Sequence, residues 1–333
     1  MEETWSTILK NHSESNFLQG PLWAEMNKTV GHKIVVRTFD SDAIYLGIVK
    51  AAKRGRYMEI PGGPILDWKD KALVKKVFSS IIKEAKEEKC VFVRFRPQLF
   101  NTEENQKLIK KLGSLAKIDI RTAPMHLHAQ NTVILDLTNS EEELLMSMRR
   151  QTRYEVRRSE KNGIIVTEDS SEEKFNEFHE AQVKTAKRQD FVPPSKKELI
   201  AERDAFSPNN LKLYTAKTKE GEPIAYGLIL IYGEEAEYFE AASTDLNRKL
   251  PGAYALLWQA IKDLKKEGVK RFNLWGIAPP GIENHRYSGV TTFKTGFGGQ
   301  IVEFIPAQDI IINKVLYKVD EIIENARKKK RNL

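Results

Sequence analysis

The chain has 333 residues, 41% of them apolar and 30% charged, with a net charge of +8 and one cysteine, Cys90. At roughly 100–200 residues per domain this is the length of two domains with sizeable cores, and one cysteine excludes an internal disulfide or a multi-cysteine zinc site. No export signal opens the chain and no apolar run approaches the ~20 residues of a membrane span, so a cytoplasmic protein is expected, and the basic excess suits an anionic partner as well as plain solubility.

In chain order, a polar start leads to an expected helix over Asn16–Val30. Strand-like runs follow at Lys33–Thr38, Ala43–Lys50 and Tyr57–Ile60, then a turn at Pro61-Gly62-Gly63-Pro64. Leu73, Val77, Phe78, Ile81 and Ile82 recur at helical spacing and predict a helix over Lys69–Glu87. Cys90–Arg96 alternates as a strand and makes Cys90 a buried structural thiol. A helix near Glu103–Leu112 and strands at Lys117–Arg121 and Thr132–Asp136 close the first half.

Ser140 and Glu143 form the capping-box pair of a helix expected to run through a basic stretch to Lys161, stopped by Asn162-Gly163. Helices are expected at Glu172–Arg188 and Ser195–Phe206, then strands at Leu211–Lys217, Pro223–Tyr232 and Glu235–Ala241. A helix at Ala253–Glu267, strands at Arg271–Leu274 and Gln300–Ile305, and a helix over Ile312–Lys328 complete the chain. Three meandering strands, a helix and a strand thus occur twice. That order predicts an α/β chain of two mixed sheets, each with a βαβ crossover, the arrangement of an N-acyltransferase.

Three segments are candidates for chemistry. In Phe293-Lys294-Thr295-Gly296-Phe297-Gly298-Gly299, glycines let the backbone turn tightly or approach a ligand, and a lysine held there can neutralise an oxyanion or a phosphate. A solvated lysine on a glycine-rich turn is the plainer reading. In Arg149–Arg158, a helix would place Arg149, Arg153 and Arg157 on one face, fit for a phosphate backbone or simply for solvent. Asn247–Ala255 is a glycine-containing loop before a helix, a plausible anion site. Its Arg248-to-Gly252 spacing and bulky Tyr254 depart from the coenzyme A pyrophosphate loop. His126 and His128 have no companion ligands, so no metal is expected, and no P-loop, GxSxG or GxGxxG occurs.

Several segments, in order, resemble the Fem family of aminoacyl-tRNA-dependent peptidyltransferases. They are Phe17–Trp23, Ile60–Asp67, the Arg149–Arg158 helix, Pro251–Trp258, Phe272–Ile277 and Phe293–Gly299. The last is individually sharp, and the collinear series covers nearly the whole chain. The resemblance, closest to compact FemX-type members without a coiled-coil arm, implies two tandem acetyltransferase-like (GNAT-like) domains. These would be 1–139 with 306–333, which binds the precursor, and 140–305, which faces the aminoacyl-tRNA.

The implied reaction is attack by a stem-peptide amine of a peptidoglycan precursor, nucleotide-linked or lipid-linked, on the ester of an aminoacyl-tRNA. It implies no cofactor. Lys294 matches the family's functional lysine. Lys28 lies near the phosphate-binding lysine, one place out of register. Arg153 and Arg157 are candidates for phosphates, and Tyr254 and Phe293 for the acceptor cleft. Two departures stand out: Arg96 replaces an acidic residue, and Pro193-Pro194 replaces an arginine, with Lys196 and Lys197 following as substitutes. They point toward a lipid-linked acceptor, and the basic run Arg327–Arg331 either toward contact with the inner membrane face or simply to a frayed, soluble end. The alternatives are a coenzyme A-dependent N-acyltransferase and a non-catalytic RNA- or membrane-binding protein.

Overall fold

The computed structural model describes residues 2–189, 191–282 and 285–331, with the side chains of residues 2, 3 and 331 outside the description. It divides into two units. One comprises Met1–Gln130, Asn284–Arg286 and Glu303–Leu333, the other Asn131–Glu283 and Tyr287–Val302.

The first unit begins with α1 (Glu2–Asn11), α2 (Pro21–Val30), β1 (Lys33–Phe39), β2 (Ala43–Ala52), β3 (Gly55–Gly62) and β4 (Ile65–Leu66). Next come α3 (Lys71–Glu87), β5 (Cys90–Pro97), α4 (Glu103–Ala116) and β6 (Ile120–Thr122). The single helix expected over 16–30 is instead a short turn of 3-10 helix at Phe17–Gln19 followed by α2. Pro21 explains the break: it lacks an N–H and belongs at the first helical position. Gln19 is fully buried and uses its whole amide. Nε2 donates to the Pro61 carbonyl at 2.7 Å and Oε1 accepts from Leu46 N at 2.8 Å, which ties this turn to β2 and β3. Asp70 caps α3 by accepting from Ala72 N and Leu73 N, and Val74, Val77, Phe78 and Ile81 face the core. Lys117 ends α4 in the left-handed region at φ 54, so the strand expected from 117 starts only at Ile120.

The second unit holds β7 (Asn131–Asp136), α5 (Glu141–Ser147), α6 (Arg150–Lys161), β8 (Ile165–Glu168), α7 (Glu172–Gln189), α8 (Lys196–Phe206), β9 (Leu211–Lys217), β10 (Pro223–Tyr232) and β11 (Glu235–Ser243). It ends with α9 (Gly252–Lys266), β12 (Arg271–Asn273), α10 (Ser288–Thr295) and β13 (Gln300–Glu303). β14 (Gln308–Ile311) and α11 (Lys314–Arg331) return to the first unit. The Ser140–Glu143 capping box forms as expected, but the helix it starts breaks at Met148, whose ψ is 148. Arg149 is therefore an N-cap outside the helix, and the one-face register of Arg149, Arg153 and Arg157 holds only from Arg153 on.

The sheets run β1-β2-β3-β5-β14-β6, with β4 beside β2, and β13-β7-β12-β11-β10-β9-β8. Both contain the expected antiparallel meander and one parallel crossover, β3 with β5 through α3 and β11 with β12 through α9. Each has its own apolar core. Met58, Phe78, Ile81, Val93 and Phe95 centre the first; Leu135, Ile229, Leu256, Ile261 and Phe272 centre the second. Each such side chain contributes about 1.5–3 kcal/mol on burial.

Candidate active site

The two parallel pairs end differently. In the first unit β3 and β5 stay paired from Arg56↔Cys90 to Gly62↔Pro97. In the second, β11 and β12 pair only from Glu235↔Arg271 to Glu237↔Asn273. β11 runs on to Ser243 beside β10. After Asn273 the chain leaves toward β7, with Leu274 N donating to the Val133 carbonyl at 2.8 Å and Ile277 N to that of Asn131 at 2.9 Å. Trp275 makes the turn at φ 61, its N–H held by Asn273 Oδ1 at 3.0 Å. A register shift opposite Leu228/Ile229 adds a bulge to β11 at the same level. The result is a wedge in which one edge of β11, from Tyr238 onward, has no strand partner among the described residues.

Lys294 stands at this wedge. Its Nζ donates to the Gly276 carbonyl at 3.0 Å, on one side, and lies 5.8 Å from the centre of the Tyr238 ring, on the other. It comes from the last turn of α10, where the helix dipole favours a cation. The side chain is buried, no ion pair to it forms among the described residues, and burial pushes its ammonium down to about 7. A buried cation without a counter-charge stabilises a negative charge that develops beside it.

The glycine-rich segment that carries Lys294 is a helix end rather than the open turn its sequence suggests. Gly298 and Gly299 sit at φ 85 and 83 and turn the chain from α10 into β13. A Cβ on Gly299 would fall 2.6 Å from the Ile134 carbonyl oxygen, and one on Gly298 2.7 Å from Ser147 Oγ. The glycines thus let α10 dock against β7 and the end of α5, which aims Lys294. Phe293 and Tyr254 meet in the same place: the Tyr254 ring is 5.0 Å from Phe293 and 5.9 Å from Phe297.

The basic segment divides into braces and free cations. Arg149 Nη2 donates to the Thr292 carbonyl at 2.9 Å, and Arg153 Nη1 to the carbonyls of Met146, at 2.9 Å, and Met148. Arg158 Nη2 reaches the Lys249 carbonyl at 2.7 Å. Arg150 and Arg157 are exposed and have no hydrogen-bond or ion-pair partner among the described residues. Lys196 is exposed in the first turn of α8. Lys28 belongs to the first unit, exposed, with Nζ 3.7 Å from Glu25.

Sequence reasoning missed three carboxyls in the second unit, two buried and one half-buried. Glu237 and Glu202 are each 3% exposed, each leaves Oε2 without a hydrogen bond, and burial pushes both well above the carboxylate range. Glu240 accepts from Gln182 Nε2 at 2.6 Å, and burial pushes it up to about 7. The run Glu235-Ala236-Glu237-Tyr238-Phe239-Glu240 reads as a strand with a solvated acidic face, and only the packing of α7 and α8 makes that face an interior.

A family model described as the FemAB family matches residues 1–197 and 193–325. The chain is 22% identical over 355 residues to aminoacyltransferase FemA of Staphylococcus aureus (strain MRSA252), covering 83% of this chain and 84% of that protein. Among solved structures, the crystal structure of FemX superposes with a TM-score of 0.82 at 17% identity, covering 96% of this chain and 98% of that one. A tandem GNAT protein from the clavulanic acid biosynthesis pathway gives 0.56 at 8% identity, covering 93% and 95%. These likenesses show the fold to be the tandem acetyltransferase-like one. The family match spans nearly all of the described residues, wedge and lysine included, and the chain belongs to the FemAB family.

Proposed function

We propose that this chain is an aminoacyltransferase that moves an aminoacyl group from the ester of an aminoacyl-tRNA to a stem-peptide amine of a peptidoglycan precursor, building an interpeptide bridge. The observation that carries this is Lys294, a buried cation with no carboxylate partner among the described residues, held at the open wedge of the second sheet. The amine nitrogen attacks the ester carbonyl carbon and the carbonyl oxygen takes on negative charge beside the lysine ammonium. The bond to the ribose oxygen then breaks, an amide forms, and the proton lost by the amine balances the one gained by the ribose hydroxyl. The ester is already activated, so the chemistry has no need of ATP.

In this reading the second unit receives the tRNA. Arg157 and Lys196 meet its phosphates, with the exposed Arg150 beside them, and Arg153 orients that helix. Lys28 serves the precursor's phosphates, and Tyr254 and Phe293 line the acceptor cleft. Coenzyme A is the poorer donor. The Ala253 N–H at the start of α9, which a pyrophosphate would take, donates to Asn247 Oδ1 at 3.0 Å.

The acceptor in this reading is lipid-linked, and the protein works at the inner membrane face. Among the described residues no helix is long and apolar enough to cross a membrane. Helix α11, however, packs through Tyr317, Asp320 and Glu324 and leaves Val315, Val319 and Ile322 exposed on its other side, at 77%, 45% and 61%. Lys318, Lys329 and Lys330 are exposed on the same helix, the composition of an interfacial helix on anionic lipid. The Arg331 side chain, the last of the basic run, lies outside the described residues.

The test is transfer of label from charged tRNA into nucleotide-linked and lipid-linked muropeptides, with acetyl-coenzyme A as a competing donor. Label reaching a muropeptide from tRNA alone supports the reading. Acylation from acetyl-coenzyme A alone overturns it.

A further inference from the structure

Strand β5 presents two arginines, Arg94 and Arg96, two residues apart and so on one face of the first sheet. The fold treats them in opposite ways. Arg94 is neutralised twice over. Its Nε and Nη2 grip Asp309 Oδ1 and Oδ2, both at 2.8 Å, and Nη2 also reaches Glu324 at 2.8 Å. Arg96 is 1% exposed and has no ion pair among the described residues. Its Nη1 donates to the Gln98 amide oxygen at 3.1 Å and the Phe304 ring covers the guanidinium at 5.2 Å, while the buried Nε has no acceptor. Removing a guanidinium from water without a counter-charge costs several kcal/mol, and burial pushes Arg96 down to about 10.

The groups facing Arg96 add to the imbalance. His126 and His128 are its electrostatic neighbours, and Lys50, which acts on His128, is already paired with Glu59 at 2.6 Å. Asp309 and Glu324 are spent on Arg94. Arg96 lies where the parallel strands end, at the pairs Pro61↔Arg96 and Gly62↔Pro97. Ligands of open α/β sheets bind at that end of the strands.

We propose that Arg96, with His126 and His128, forms a subsite for a carboxylate of a bound ligand. The free Nε edge offers the side-on fork that two carboxylate oxygens fit. Burial, then neighbouring cations, keep both imidazoles below the usual histidine range, so they act as neutral donors. The subsite therefore supplies one positive charge, the match for a carboxylate rather than a phosphate dianion. The coil that carries the histidines between β6 and β7 reaches the surface at His126. If the transfer reading above is right, the carboxylate is one on the acceptor peptide. The subsite stands or falls by binding alone.

The probes are N-acetyl-alanyl-alanine, its C-terminal amide and inorganic phosphate, titrated into the full chain and followed by tryptophan fluorescence, since the Trp23 ring lies 6.1 Å from His128. The free peptide saturates, at least tenfold tighter than the amide and tighter than phosphate, and Arg96→Met abolishes the signal at an unchanged melting temperature. His126→Ala, at an exposed position, weakens binding several-fold and gives a second reading should Arg96→Met fail to fold. Equal binding of peptide and amide, preference for phosphate, or binding undisturbed in both variants overturns the subsite. None of these results bears on transfer, so either idea can fail alone.

Discussion

The two sheets share one plan and differ at one place. The β3–β5 pair is zipped through Gly62↔Pro97, whereas the β11–β12 pair parts after Glu237↔Asn273. The zipped end buries an arginine, and the parted end holds Lys294 between Tyr238 and the Gly276 carbonyl. A repeated fold thus yields one open wedge with a lone cation, and the difference comes from where the chain leaves the parallel pair. The turn at Trp275, the bulge in β11 and the glycines behind α10 all serve that departure.

The largest expected effect sharpens the contrast between satisfied and unsatisfied cations. Arg94→Met strands the fully buried Asp309, and a denaturant melt loses about 3–5 kcal/mol. Arg96→Met strands no carboxylate and costs less than about 1 kcal/mol. Equal losses would mean that Arg96 has a structural counter-charge.

Next comes the wedge itself. Gly299→Ala forces a side chain into the left-handed region and against the Ile134 carbonyl, and costs about 2–4 kcal/mol in the same melt. A neutral result would remove the glycines from the account of how Lys294 is aimed.

The titration of Lys294 gives the third. Its folded value, about 7, is depressed below the unfolded one of 10.5. The unfolded chain therefore holds the extra proton between those values, and stability rises as pH climbs from 7 to 10.5. Lys294→Met is accordingly more stable than the parent below pH 7, and its advantage fades toward pH 10.5. If the ammonium is the working form, transfer falls as pH rises through about 7.

The smallest effect concerns Glu202, held protonated by burial. Because its folded value is raised, its cost to stability appears above the ordinary carboxylate value of 4.5 and grows with pH. Glu202→Gln gains about 1 kcal/mol at pH 7.5 and nothing at pH 4. A gain independent of pH would mean that Glu202 is ionised in the fold.

Much of this was legible in the sequence because its signals are local. The Ser140–Glu143 capping box, the α3 periodicity and the twice-used meander each rest on neighbouring residues. Lys294, Phe293 and Tyr254 were found through the collinear resemblance, and the structure places their helices together. Tertiary context supplied the rest. The break at Met148 is held in part by the Arg149 guanidinium on the distant Thr292 carbonyl, and β14 exists only as a partner for β5 and β6. The acids Glu202 and Glu237 look solvated until α7 packs against both α8 and β11. The opening between β11 and β12 has no sequence signal at all, because it is set by the register of strands far apart in the chain.

The most direct test of the central claim compares the parent with Lys294→Met in transfer of label from aminoacyl-tRNA to muropeptide at pH 7, with a melt to show that the variant folds. Loss of one charge-stabilising donor predicts transfer reduced by about 10²–10³-fold in a protein at least as stable as the parent. Undiminished transfer by the folded variant would contradict the account and leave Lys294 as a buried helix-end lysine.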